Sequence, residues 1–276
     1  MREKLSNLLD TSAIAARRIG GGDICEVYEV ETATRRLCVK FLASAHTGFF
    51  QSEAKGLQTI ADMDVIRTPV VVSVGDSHLA LEWIQCVAPT KQMWCDLGAQ
   101  LATMHRAHQR LFGFDSDGFC GLTPQSNTPM SDGFAFFAQQ RIEPQVKRAS
   151  DAGLLSDTEA NRIQRVSNRL DQWLPQQPAS LIHGDLWSGN VLFAGDQPVL
   201  IDPAAHYGWA EADLAMTRLF GGFPSDFYQT YRSTNPLQPD FEDRVDLYNL
   251  YHLLNHLNLF GSAYHGRVMA IINRFT

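Results

Sequence analysis

The sequence predicts an α+β fold in which a small strand-rich lobe precedes a larger, mostly helical lobe. Apolar and polar residues alternate through much of the first third of the 276-residue chain, as they do in half-buried strands. Afterwards the apolar residues recur with a helical period. We expect the lobes to join near residues 82–90, and we divide the chain into residues 1–84 and 85–276.

The N-terminal lobe begins with residues 3–19, which we interpret as a short amphipathic helix. A glycine cluster follows, and two alternating segments with a turn at Thr32–Arg35 then predict a pair of antiparallel strands. Residues 48–63 have helical spacing. Val65–Ile84 predicts further strands, with a turn at Gly75–Ser77.

The C-terminal lobe is predicted to consist of helices, one long loop and one hairpin. Residues 112–133 are rich in Gly, Pro, Asp and Ser and predict the loop. Val191–Phe193 and Val199–Ile201 predict the hairpin. Ser156 and Glu159 form a capping-box pattern, and Pro144 is a candidate helix break. We expect helices at residues 93–108, 134–149, 156–174 and from Glu211 onward.

Composition and simple sequence patterns disfavour several classes of protein. The net charge of −7, with scattered Lys and Arg, disfavours a nucleic-acid partner. The N-terminus lacks the apolar core of a signal peptide, and no apolar run is long enough to cross a membrane. Five cysteines without C-x-x-C spacing argue against disulfides and structural zinc. We therefore expect a cytoplasmic monomer with no membrane partner.

The segment "LIHGDLWSGN" carries the clearest chemical signal. Asp185 follows an apolar strand-like run, Asn190 comes five residues later, and Asp202 closes the predicted hairpin. Phosphoryl transfer needs a carboxylate that accepts the proton of the attacking hydroxyl, and an amide and a second carboxylate that hold Mg²⁺. This spacing is that of a kinase catalytic loop, so we predict Asp185 as the catalytic base and Asn190 and Asp202 as metal ligands, with ATP as phosphoryl donor. Each residue alone is more often a turn former or cap.

An ATP-binding set is expected upstream of this loop. Lys40 lies in an apolar strand, where a charge needs a partner, and Glu53 in the next helix can supply one. Alternatively, Lys40 extends to solvent and Glu53 is a surface charge. Backbone N–H groups of a glycine cluster can approach phosphates, although such a cluster is also a flexible turn. The predicted nucleotide-binding residues are Lys40, Glu53, the cluster Gly20, Gly21 and Gly22, and the adenine-binding hinge Glu82, Trp83 and Ile84.

Three further features have competing interpretations. Trp187 lies inside the catalytic loop and predicts a stacking wall for the substrate, although it can also pack on its own lobe. His252 and His256 are four residues apart on a helix, as metal ligands can be. Since no third ligand is evident, we interpret them as core histidines with satisfied hydrogen bonds. "LAMTRLFGGF" predicts core and turn rather than a phosphate loop.

The chain resembles the fructosamine kinase (ketosamine-3-kinase) family from about Gly20 to Phe275. The resemblance rests on "HGDLWSGN", "LIDPAAHYGWAEADLAMTRLFGGF", "LYNLYHLLNHLNLFGSAY", "FGFDSDGFCGLTPQSN" and "GGGDICEVYEV". It implies a protein-kinase-like bilobal fold and ATP- and Mg²⁺-dependent phosphorylation of the 3-hydroxyl of fructosamine- or ribulosamine-type ketosamines, free or protein-bound. The product then breaks down and frees the amine, which is a deglycation activity. The resemblance also implies that Trp187 contacts the ketosamine.

The chain departs from the family pattern at a few positions. Trp209 follows "YG", and Pro129 and Gly133 stand where aromatic residues are expected. These differences leave the preferred ketosamine open. Asp23 stands where some relatives carry a cysteine, and Cys25 comes two positions later, which leaves redox control open.

Two other functions are compatible with the same motif. An aminoglycoside or other small-alcohol kinase would need several acidic residues facing Asp185, because its substrates are polycationic. A catalytically inactive binding module should have lost one of Lys40, Asp185, Asn190 and Asp202, and all four are present. A protein kinase is disfavoured because the chain after Asp202 leaves no room for an activation loop.

Overall fold

The computed structural model describes residues 2–9, 13–20 and 24–276. The elements of the N-terminal lobe are α1 (Arg2–Leu8), β1 (Ala13–Ile19), β2 (Glu26–Thr32), β3 (Arg36–Phe41), α2 (Phe49–Ala61), β4 (Val71–Gly75) and β5 (His78–Glu82). In the described part of this lobe, the five strands form one antiparallel sheet in the order β1-β2-β3-β5-β4.

The two faces of this sheet are covered by different helices. Val30 and Val39 lie on the face that packs with Leu5 of α1. Leu79 and Leu81 lie on the opposite face and pack with α2. Side chains alternate between the faces of a strand. Lys40, next to Val39, therefore points to the α2 side, where the predicted partner Glu53 is located.

The prediction of one helix across residues 3–19 is wrong in its second half. The helix ends at Leu8, and Ala13–Ile19 is an edge strand paired with β2. The alanines and arginines of this segment favour a helix when considered alone. In the folded chain, pairing with β2 satisfies the backbone, and Arg17 lies opposite Glu29 with a distance of 2.6 Å between their charged groups. Tertiary pairing therefore overrides local preference.

The C-terminal lobe is built mostly from helices, with short strands that position its loops. Its elements are α3 (Lys91–Met104), β6 (His108–Gln109), β7 (Gly118–Cys120), β8 (Thr123–Gln125), α4 (Gly133–Phe136), α5 (Glu143–Asp151), α6 (Asp157–Ser167), β9 (Ala179–Ile182), β10 (Val191–Ala194), β11 (Gln197–Leu200), β12 (His206–Gly208), α7 (Ala210–Leu219), α8 (Ser225–Thr234), α9 (Phe241–Phe260) and α10 (His265–Arg274). A small sheet has the order β12-β9-β6, and β10 with β11 and β7 with β8 form hairpins.

Two details of this lobe differ from the prediction. The loop at residues 112–133 contains the β7–β8 hairpin, whose three-residue strands are too short to show a period. The chain also stays helical through Pro144, because a π-helical segment at Phe137–Ile142 links α4 to α5 and Pro144 lies in the first turn of α5. The capping box of Ser156 and Glu159 is confirmed.

Among the described residues, no helix is both long enough and apolar enough to cross a bilayer.

Candidate active site

The catalytic-loop segment runs from the end of β9 to the start of β10, and a buried carboxylate holds it. Asp213 of α7 accepts hydrogen bonds from the backbone N–H groups of His183 (2.6 Å) and Gly184 (2.8 Å). The His105 ring nitrogen lies 3.2 Å from the same carboxylate. Burial opposes the ionised form of Asp213, but the contacts with His105 and the backbone outweigh it and lower its pKa. Sequence reasoning missed Asp213, because no local pattern separates it from Glu211 on the same helix.

Two residues with positive φ angles, Gly184 and Asp202, shape the backbone around the functional side chains. Gly184 has φ +81°, and a Cβ at this position would lie 2.2 Å from the carbonyl oxygen of Ala204, so only glycine fits. Asp202, two residues beyond the end of β11, has φ +57°. A non-glycine residue in this left-handed region costs free energy and is common at functional sites.

Asp185 and Asn190 are brought into direct contact by the short 3₁₀ turn at Ser188–Asn190. The Asn190 amide nitrogen donates to the Asp185 backbone carbonyl (2.8 Å) and to its carboxylate (3.2 Å). Burial in the loop, reinforced by the nearby charge of Asp202, raises the pKa of Asp185 from 3.8 to about 7. A carboxylate with this pKa is suited to accept a proton at neutral pH.

Lys40, Glu53 and Asp202 form a charged cluster between the lobes. The Lys40 ammonium, whose residue is only 8% exposed, lies 2.6 Å from a carboxylate oxygen of Glu53 and 2.6 Å from one of Asp202. Burial alone would lower the pKa of Lys40, but the two carboxylates outweigh it and raise the pKa. Burial, together with the charge of Asp202, raises the pKa of Glu53 despite the ammonium. The structure therefore supports the pairing interpretation and not a solvent-exposed Lys40.

One cavity of about 460 Å³ collects these groups. The predicted site residues that line it are Lys40, Glu53, Asp185, Trp187, Asn190 and Asp202. The cavity thus brings together the carboxylates of Asp185 and Asp202, the amide of Asn190 and the ammonium group of Lys40. Oxygen donors of this kind match the preference of Mg²⁺.

Those of the remaining predicted nucleotide-binding residues that the structure describes do not line this cavity. Gly20 is exposed directly after β1, and Gly21 and Gly22 fall outside the described residues. Glu82 pairs with Arg67. The buried indole N–H of Trp83 has no hydrogen-bond partner in the described part of the chain. Ile84, the last of the predicted hinge residues, packs with Ala194 and Val199. Their roles in nucleotide binding stay predictions.

Trp187 lines the cavity and is 38% exposed. Its ring meets Phe220 edge to face, with the centroids 6.1 Å apart. It also covers its own loop, since a Cβ on Gly189 would lie 2.2 Å from the indole. The Trp187 side chain is therefore partly exposed to the cavity and also packs against its own loop and Phe220.

The C-terminal helices add cavity residues that sequence reasoning missed. Phe220, Phe260 and Tyr264 line the cavity, as does His256. "LAMTRLFGGF" forms the end of α7 and a turn as predicted, but Phe220 is exposed rather than part of the core. His252 is buried as expected, yet its Nδ1 has no hydrogen-bond partner among the described residues, so the prediction of satisfied histidines is wrong for this atom.

The structure describes Trp209 and Cys25, two of the residues named above where the chain departs from the family pattern. Trp209 is buried in an aromatic cluster with Phe112 and Phe137 and does not line the cavity. Cys25 does line it, and burial raises the pKa of its thiol to about 11, so the thiol is protonated at neutral pH. Asp23 lies outside the described residues.

A family model and individual relatives all match this chain to sugar-amine kinases. Residues 2–276 match the family model described as fructosamine kinase. A Synechocystis protein assigned as a ketoamine kinase is 40% identical over 266 residues, which cover 94% of this chain and 89% of that protein. Protein-ribulosamine 3-kinase from Arabidopsis thaliana, a chloroplastic protein, is 35% identical over 268 residues, which cover 93% of this chain and 81% of that protein.

A solved structure is also closely similar. A protein from Thermobifida fusca assigned as a fructosamine-3-kinase superposes with a TM-score of 0.91 at 36% identity, covering 99% of this chain and 97% of the other. Aminoglycoside phosphotransferases of known structure share the fold alone, at much lower identity. The predicted kinase-like fold of two lobes is thereby confirmed.

Proposed function

The chain belongs to the fructosamine kinase family, and from this premise we propose that it transfers the γ-phosphoryl group of ATP to the 3-hydroxyl of a ketosamine. The observation that carries the proposal is the convergence of Lys40, Asp185 and Asp202 on one cavity. The phosphorylated product breaks down and frees the amine, so the reaction removes sugar adducts from amines. Small or protein-bound ketosamines are the proposed substrates.

In the proposed reaction, Asp185 is the catalytic base. The substrate 3-hydroxyl oxygen forms a bond to the γ-phosphorus while the bond from that phosphorus to the bridging oxygen of ADP breaks. The hydroxyl proton passes to the Asp185 carboxylate, whose pKa of about 7 keeps it largely available above neutral pH. The Asn190 amide, 3.2 Å away, fixes the orientation of this carboxylate.

The charges around Lys40 fit a site for phosphate and a divalent cation. One ammonium faces the two carboxylates of Glu53 and Asp202, so the cluster has an excess of negative charge when both are ionised. Asp202 and Asn190 would hold Mg²⁺, which neutralises charge on the phosphates. Asn190 uses its amide nitrogen toward Asp185, which leaves the amide oxygen as its donor toward a metal. Glu53 orients Lys40 for the phosphates.

We place the boundary between the lobes after Ile84, at the end of the sheet. β5 ends at Glu82, and the next backbone contact, from the Val87 N–H to the Phe193 carbonyl, already joins the chain to the β10–β11 hairpin. In this arrangement residues 82–84 provide the adenine-binding hinge and the glycines from Gly20 to Gly22 cover the phosphates. The hinge assignment rests on the position of residues 82–84 in the fold, and the glycine assignment rests on the sequence.

The cavity disfavours an aminoglycoside as substrate. Among the described residues that line it, the acidic ones are Glu53, Asp185 and Asp202, and the proposed chemistry uses all three. A polycationic antibiotic would need further carboxylates to pair with its ammonium groups. A ketosamine with one amine does not.

A substrate panel tests the proposed function. The purified protein would be incubated with MgATP and either ribulosyl-lysine, fructosyl-lysine, kanamycin or choline, and ADP release would be measured. We expect turnover with at least one ketosamine and only background release with kanamycin and choline. Turnover of kanamycin or choline in preference to both ketosamines would contradict the proposal.

A further inference from the structure

The cavity has an aromatic wall, formed by Phe220, His256, Phe260 and Tyr264. The His256 ring centroid lies 5.3 Å from that of Phe220, 5.4 Å from that of Phe260 and 5.1 Å from that of Tyr264. Trp187 continues the series toward Asp185 through its contact with Phe220. The rings thus extend without interruption from the proposed catalytic base to the outer part of the cavity.

The aromatic wall keeps apolar surface in contact with solvent. Phe220 is 42% exposed and Phe260 is 46% exposed, although both belong to a lobe that buries most of its large apolar side chains. A contiguous exposed apolar patch beside polar groups is typical of a ligand-binding surface. The residues come from the end of α7 and from the junction of α9 and α10. Packing of the core therefore does not explain their arrangement.

The charges near the aromatic wall are mixed, since the Arg267 guanidinium donates to the Leu219 carbonyl beside Phe220 and acts on His256. Burial lowers the pKa of His256, so its ring is neutral at pH 7 and does not repel a cation. The last turn of the 20-residue helix α9 reaches the cavity through Leu259 and Phe260, and a helix C-terminus carries partial negative charge. Ring faces attract cations as well.

We propose that the aromatic wall binds the amine-bearing substituent of the ketosamine, meaning the carrier attached to its nitrogen. This inference rests on the proposed function and adds a site for the part of the substrate that does not react. The ammonium group lies beside Trp187, and the aromatic wall contacts the carbon chain of the substituent. It favours substituents that are alkyl or aromatic near the nitrogen over a nitrogen without a substituent.

The dimensions of a ketosamine place its substituent at the aromatic wall. The nitrogen is four bonds from the oxygen of the 3-hydroxyl, so the two atoms are separated by roughly 5 Å at most, given C–C and C–N bonds of about 1.5 Å. With the hydroxyl at Asp185, the nitrogen lies in the neighbourhood of Trp187, and its substituent continues toward Phe220 and Phe260. Among the described lining residues, Lys40 is the only lysine or arginine, and it is assigned to the phosphates of ATP, so no lining cation is left for the substituent.

The proposal is tested with two ketosamines that differ only in the substituent. One is 1-amino-1-deoxyribulose, which has no substituent on nitrogen, and the other is its N-hexyl derivative. The variants are Phe220→Ala and Phe260→Ala, and Leu111→Ala is the matched control, since Leu111 is 42% exposed and does not line the cavity. Melting temperatures establish that the variants are folded. If Phe260→Ala fails to fold, Phe260→Leu gives the same comparison.

We expect Phe220→Ala and Phe260→Ala to raise KM for the N-hexyl substrate about three- to tenfold, because each removes apolar contact with the hexyl chain. KM for the unsubstituted substrate and for ATP should change less than twofold, and Leu111→Ala should change none of these values. Equal changes for both ketosamines, or no change for the N-hexyl substrate, would overturn the proposal.

Failure of the proposed function gives a different result. Turnover of the unsubstituted ketosamine by the parent protein tests that function without the aromatic wall. If the parent turns over neither compound, binding of the N-hexyl compound is measured by quenching of tryptophan fluorescence. Weaker binding to Phe260→Ala than to the parent still supports the aromatic wall, and equal binding or none overturns it.

Discussion

Replacement of Asp185 by Asn probes the proposed proton transfer most directly. The amide has nearly the same size and can keep a hydrogen bond to Asn190, so the loop geometry should survive. Loss of a general base typically lowers kcat by roughly 10²–10⁴-fold. In the parent, kcat/KM should rise about tenfold per pH unit below pH 7 and level off above it, because Asp185 must be ionised and its pKa is about 7. The variant should lack this dependence.

The same substitution should stabilise the protein at high pH. The pKa of Asp185 is higher in the folded chain than its ordinary value of 3.8, so ionisation opposes folding as the pH rises from 4 through 7. The difference corresponds to about 4 kcal/mol at 1.36 kcal/mol per pKa unit. Because the side chain keeps partial contact with water in the cavity, we expect Asp185→Asn to gain about 1–3 kcal/mol at pH 8 and little at pH 4.

The assay combines pH profiles of kcat/KM, with both substrates below their KM values, and urea unfolding at pH 4 and pH 8. Asp196→Asn is the control, since it removes an exposed carboxylate from the β10–β11 turn. A variant at position 185 that retains activity within a few-fold of the parent, together with the same rise toward pH 7, would refute the assignment of the base.

Three other substitutions separate the remaining roles. Trp187→Ala should lower kcat/KM for the ketosamine about two- to thirty-fold and leave KM for ATP unchanged; a lower melting temperature with both KM values unchanged would indicate packing alone. Asp202→Ala should weaken MgATP binding, measured by calorimetry, more than Asn190→Ala does, since a carboxylate brings a full charge to the metal; the reverse order would contradict these roles. Asp213→Asn should destabilise the chain by about 2–4 kcal/mol at pH 7 in urea unfolding. Because the folded-state pKa of Asp213 is lowered, this difference should disappear as the pH falls through that pKa, and a difference that persists there would argue against an ionised anchor.

The catalytic loop could be predicted from sequence because its geometry is local. Asp185 and Asn190 are five residues apart on one tight turn, so their contact follows from spacing. Lys40 and Glu53 required one further step, namely that the polar face of β3 and the facing side of α2 meet. The need of a lysine in an apolar strand for a charged partner supplied that step, and Glu53 in the next helix was the candidate. In the structure, Phe50 and Leu57 of α2 pack on the sheet and Glu53 meets Lys40.

Features that depend on distant packing were missed or misassigned. The strand at Ala13–Ile19 is helix-like in composition and is defined by its pairing with β2. Asp213 accepts hydrogen bonds from backbone groups 29 and 30 residues earlier in the chain, and no local pattern reveals that contact. The aromatic wall joins Phe220 to residues near the end of α9, and periodicity does not predict which helix ends converge.

The position of the transferred phosphate tests the central claim most directly. The purified protein would be incubated with MgATP and ribulosyl-lysine, and the product would be examined by two-dimensional ³¹P–¹H correlation NMR. The proposed function predicts coupling of phosphorus to the proton on carbon 3, in amounts that match ADP release and vanish with Asp185→Asn. Phosphate on another hydroxyl, or ADP release without a phosphorylated ketosamine, would contradict it.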